Sequence, residues 1–76
     1  MKISVHGSAR RHGVSDVDIV QAATWPMWVE PHEEEDLQRE SRLGFDTNGR
    51  LLEVVVLIFD SGCELVVHAM KAGRHH

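Results

Sequence analysis

The chain has 76 residues, one small domain (1–76) that on folding buries only roughly 60% of its unfolded surface, so a partner that completes the core is plausible. Hydrophobic residues make up 42% and charged residues 26%, an ordinary globular balance; no run spans a membrane, the N-terminus has no signal-peptide core, and the single Cys63 rules out an internal disulfide, so a cytoplasmic protein is expected. The net charge of −4 is local: Glu30 and Glu33, Glu34, Glu35 and Asp36 hold it in one stretch, and the rest of the chain is slightly basic.

In chain order, Met1–Val5 alternates weakly and reads as a short extended lead-in. Ser4 is placed to cap a first short helix over about His6 to His12, with Gly13 at its C′ position. Ser15 is a good N-cap, Asp16 and Asp18 suit a helix N-terminus, and Ile19, Ala22 and Ala23 widen an apolar face. This predicts a second helix from Asp16 to Thr24, stopped by Pro26. Trp25-Pro26-Met27-Trp28-Val29 is an apolar patch leading into a first strand that Pro31 ends. The acidic run 33–36 follows as a solvated loop, or as a phosphate mimic or contact for a basic partner. Leu37–Phe45 alternates as a half-exposed strand.

The stretch Arg50–Phe59 is apolar on both faces except at Glu53 and rich in β-branched residues, the pattern of a central strand. Glu64–Lys71 is its hairpin partner. Two-residue loops at Asn48-Gly49 and Ser61-Gly62 would pair Leu43 with Val54, Phe45 with Leu52, Val54 with Ala69, Val56 with Val67 and Ile58 with Leu65. These residues then share an apolar side, and Arg42, Glu53 and His68 share the other. The expected fold is α+β: two short N-terminal helices packed on one face of a four-stranded antiparallel sheet. The terminal His75-His76 reads as the start of a tag or its remnant.

On that open face, Arg42, Val55 and His68 form one row, with Glu53 diagonal to His68 and Lys71 and Arg74 just beyond. A carboxylate, an imidazole and several cations on one surface suit phosphodiester chemistry. Glu53 or His68 would be general base on an RNA 2′-hydroxyl, Arg42 and Lys71 would hold the phosphate, and His68 would be the acid. Arg10 and Arg11, beside His6 and His12, form a cationic patch for phosphate or for a carboxylate partner. Trp25 and Trp28 are either core residues or anchors for a protein partner. No metal site is expected, because no His/Cys/Asp group has zinc spacing. No Gly-rich phosphate loop points to a cofactor, and none is expected.

Arg11-His12-Gly13-Val14-Ser15 ahead of an Ala-containing helix, then Arg42-Leu43-Gly44-Phe45-Asp46 with Gly49–Val56, then His68-Ala69-Met70-Lys71-Ala72, resemble the BrnT-type toxins of bacterial toxin–antitoxin pairs. The resemblance covers about residues 10 to 74 and lies in the order and spacing of the motifs. It implies a fold like that of the RelE ribonuclease toxins, an endoribonuclease activity on RNA, with or without the ribosome, and an antitoxin protein encoded nearby, in a homo- or hetero-oligomer. In this likeness Lys71 and Arg74 match the basic terminal segment and Arg50 the hairpin arginine. Two other readings stand beside it: a non-catalytic protein-binding module with the same fold, and a small structural domain.

Overall fold

A computed structural model describes residues 2–32 and 38–73. The acidic run 33–36, Arg74 and the terminal histidines lie outside the described residues. Strands β1 (Ile3–Val5), β2 (Trp28–His32), β3 (Gln38–Phe45), β4 (Leu51–Ile58) and β5 (Glu64–Lys71) form one five-stranded sheet in the order β1-β5-β4-β3-β2. β1 runs parallel to β5, and the other neighbours are antiparallel. One α-helix, α1 (Asp16–Thr24), covers one face.

The expected two helices on a four-stranded antiparallel sheet are therefore corrected to one helix on a five-stranded mixed sheet. Two local choices cause the difference. The lead-in pairs as β1, held at its ends by Glu64 N–H to the Lys2 carbonyl (2.8 Å) and His6 N–H to the Val66 carbonyl (2.9 Å). The first expected helix is only a 3₁₀ turn, Gly7–Arg10, capped by His6 rather than Ser4, with His6 Nδ1 accepting from Ser8 N–H at 3.0 Å. Glycine and serine at its start are poor helix formers, so nothing local extends the turn.

α1 follows its capping chemistry. Ser15 Oγ accepts from Asp18 N–H at 3.3 Å, and Asp16 and Asp18 sit in the first turn. Ile19, Ala22 and Ala23 are buried against Leu52, Val54, Val56, Val66 and Ala69 from the sheet. Gly44 sits directly under the helix, where a methyl group would overlap the Ala22 carbonyl and approach its Cα to 2.8 Å. Pro31 lies inside β2 instead of ending it, which an edge strand tolerates because its outer side needs no N–H.

Both hairpin loops hold three residues rather than two. Asp46 N–H donates to the Arg50 carbonyl at 2.8 Å and Phe59 N–H to the Cys63 carbonyl at 2.9 Å. Gly49 (φ 80°) and Gly62 (φ 93°) take the left-handed position that closes such loops. In β3 this shifts the register by one residue: Arg42 opposes Val54, and Leu43 opposes Glu53. Arg42 thus lies on the helix-covered face, while Leu43 and Phe45 lie on the other. In β5 a bulge between Val66 and His68 restores the expected pairing of Val54 with Ala69 and Val55 with His68. Before the bulge Val56 opposes Val66 and Leu57 opposes Leu65, so Val66, not Val67, enters the core.

Candidate functional site

The bulged strand and the 3₁₀ turn bring together chemically active side chains from distant parts of the chain. After β1 ends, the chain continues along β5, and Ser8 Oγ donates to the Val67 carbonyl at 2.7 Å. This path carries exposed His12 to half-buried His68, with ring centroids 5.5 Å apart and planes at 75°, an edge-to-face contact. His12 also lines a cleft of about 280 Å³ with Gly13, Asp18, Asp46, Arg50 and Lys71. Sequence reasoning placed His12 only in a cationic patch. The signal for the meeting was the apolar alternation of Ile3 and Val5, which makes β1 a strand and brings the turn alongside β5.

The acidic wall of this cleft is fully engaged in holding the backbone. Asp46 Oδ1 accepts from the N–H groups of Arg50 and Asn48, both at 2.8 Å, and its Oδ2 accepts from Arg50 Nε at 3.3 Å. The Arg50 N–H above all, with the Asn48 N–H and the Arg50 charge, holds the Asp46 carboxyl below its usual range despite burial. Asp18 Oδ1 accepts from the Thr47 hydroxyl (2.6 Å) and N–H (2.8 Å), and these bonds lower its pKa too. The β3–β4 loop is thereby tied to the start of α1.

The predicted site residues do not share one surface. His68 meets His12, and Lys71 and Arg50 line the adjoining cleft. Glu53 lies on the open face in a different cleft, beside Trp28. Arg42 is buried on the opposite face. It donates to Glu64 through Nη1 (2.9 Å) and Nη2 (3.1 Å), to Glu40 through Nε (3.0 Å), and to the Ala23 carbonyl through Nη1 (2.8 Å). Burial alone would lower its pKa, but the hydrogen bonds to Glu64 and Glu40 outweigh it and raise it. The row of Arg42, Val55 and His68 is thus corrected to Ser41, Val55 and His68. Arg42 acts instead as the cation at the C-terminal end of α1, whose own last turn has no basic residue.

Arg10 is held by Asp16 through two hydrogen bonds of 2.9 and 2.8 Å, which lower the Asp16 pKa and raise that of Arg10. Arg11 and Lys71 are exposed and have no ion-pair partner among the described residues. Trp25 and Trp28 are 76% and 57% exposed, so neither is a core residue. Trp25 walls a groove on the outer side of α1 with Val17, Val20 and Thr24. Among the described residues no three His, Cys, Asp or Glu side chains are grouped to hold a metal ion, and no helix is long and apolar enough to cross a membrane.

No protein-family model matches the chain, and no curated protein or solved structure matches it significantly.

Proposed function

We propose that the chain is the RNA-cleaving toxin of a toxin–antitoxin pair, acting in the cytoplasm, with His12 and His68 as its acid–base pair. The observation that carries the reading is the contact between these two imidazoles, 5.5 Å apart, beside Lys71 and Arg50. His12 and His68 belong to two of the separate motifs on which the resemblance rests, 56 positions apart in the chain.

One imidazole takes the proton of an RNA 2′-hydroxyl as the 2′-oxygen attacks phosphorus. The other gives a proton to the departing 5′-oxygen as its bond to phosphorus breaks. The products are a 2′,3′-cyclic phosphate and a 5′-hydroxyl. Lys71, with no carboxylate partner among the described residues, faces the charge that develops on the non-bridging oxygens. This needs neither metal nor cofactor.

The test is incubation of the purified protein with single-stranded RNA. His12→Ala and His68→Ala, each with unchanged circular dichroism, should lower cleavage about 100-fold. A parent that cleaves nothing, or variants that cleave like the parent, would overturn the reading. A second reading, a non-catalytic protein-binding module, is favoured by the exposed run of Trp25, Met27, Trp28 and Val29. A stable stoichiometric complex with a neighbour-encoded protein, together with absent cleavage, would select it.

A further inference from the structure

The sheet face opposite α1 carries a cleft of about 530 Å³ between β2 and the end of β5, within the roughly 300–1,000 Å³ range of ligand-sized sites. Its apolar part comes from Leu43, Leu51 and Ala72, and the Trp28 indole stands at its edge. Among the described residues its lining carries two carboxylates, Glu30 and Glu53, together with His32, whose Nε2 lies 2.7 Å from Ser41 Oγ. Neither carboxylate has an ion-pair or hydrogen-bond partner among the described residues.

We infer that this cleft seats an arginine side chain presented by a partner protein. Charge complementarity decides the class of occupant. Two carboxylates without a partner among the described residues repel nucleic-acid phosphate and attract a cation. The aromatic and apolar parts decide the side chain. A guanidinium stacks on an indole face and offers several donors in one plane to two carboxylates, which an ammonium does not. Its methylene stem lies against Leu43 and Leu51. The partner's backbone has a place to run, because β2 is an edge strand of the sheet, with Val29 in it and Met27 just before it 42% and 63% exposed. Glu53 is on this account a recognition residue. The inference stands apart from RNA cleavage, since the cleft does not include His12 or His68.

The experiment is an NMR titration of the full ¹⁵N-labelled chain with acetyl-Ala-Arg-Ala-amide, followed at the indole N–H groups. Trp28 should shift saturably at millimolar peptide, while Trp25, in its separate groove, should not. The citrulline peptide, which has the same shape without the charge, should bind several-fold more weakly. The E30Q/E53Q double variant, altered only on the sheet face opposite α1, should bind the arginine peptide roughly 3–10-fold more weakly. A silent Trp28, equal binding of arginine and citrulline, or a Trp28 that moves with single-stranded RNA and not with the peptide would each overturn the inference.

Discussion

Both carboxylate oxygens of Glu64 on β5 accept from the guanidinium of Arg42 on β3, at 2.9 and 3.1 Å, reaching across the intervening β4. With Glu40 and the Ala23 carbonyl, this joins three strands' worth of sheet to the end of α1. Removing one partner of a buried, charged hydrogen-bonded pair leaves the other unsatisfied. Glu64→Gln should therefore cost about 1–3 kcal/mol, moderated because Glu40 remains. It should appear as a lower urea midpoint at unchanged slope. Cleavage per folded molecule should not change, because Arg42 is on the covered face; a loss of activity without loss of stability would return Arg42 to the chemistry.

The same arginine shows where sequence reading succeeds and where it stops. α1 was legible to the residue because Ser15, Asp16, Asp18 and Pro26 are local signals. The faces of β4 were legible because Val54 and Val56 must be buried and Glu53 must not. The registers were not, because Asn48-Gly49 and Ser61-Gly62 look like two-residue loops, whereas Asp46 accepts from Asn48 and Arg50 and lengthens the first loop by one. A bulge at Val67 cancels the same error in β5, so His68 was placed correctly; nothing cancels it in β3, so Arg42 was not. The contact of His12 with His68 depends on a strand of only three residues, whose one alternation of Ile3 and Val5 hints at a strand without showing which neighbour it pairs with.

Gly44 gives the second prediction. A Cβ there would lie 2.8 Å from Ala22 Cα and 2.9 Å from its carbonyl carbon, both backbone atoms that no rotamer change can move. Gly44→Ala should therefore push α1 off the sheet and cost roughly 3 kcal/mol or more, at the upper end for overpacked cores. Thermal unfolding measures it, and a variant as stable as the parent would mean that helix and sheet do not pack this closely.

Acid stability supplies the third. Asp18 and Asp46 have folded pKa values below the ordinary carboxylate value of about 3.9. A depressed folded pKa contributes stability above the unfolded value and loses it as pH falls through the folded one. The parent should therefore exceed the D18N/D46N variant in stability at neutral pH. The gap should narrow steadily below about pH 4. Urea midpoints taken from pH 7 down to pH 2 test this, and a gap independent of pH would assign the two aspartates a purely geometric role.

The last prediction separates the cations that face RNA from those already neutralised. Binding of single-stranded nucleic acid weakens with salt at a slope of roughly 0.7 per phosphate contact. Arg10 is committed to Asp16 by two hydrogen bonds, and Arg50 is partly committed to Asp46, whereas Lys71 and Arg11 have no such partner among the described residues. The measurement uses the His68→Ala variant and a 2′-deoxy oligonucleotide, so that nothing is cleaved while affinity is followed across salt concentrations. Adding Lys71→Ala or Arg11→Ala should each reduce the slope by about 0.7, and Arg10→Ala should leave it almost unchanged. The Lys71 effect should persist when Glu30 and Glu53 are replaced by Gln, since that cleft is a separate one. If Arg10→Ala lowers the slope as much as Lys71→Ala, the ion pair with Asp16 opens on binding and the nucleic acid lies along the 3₁₀ turn instead. If neither Lys71 nor Arg11 matters, the phosphate does not pass the two histidines, and their contact has no part in cleaving it.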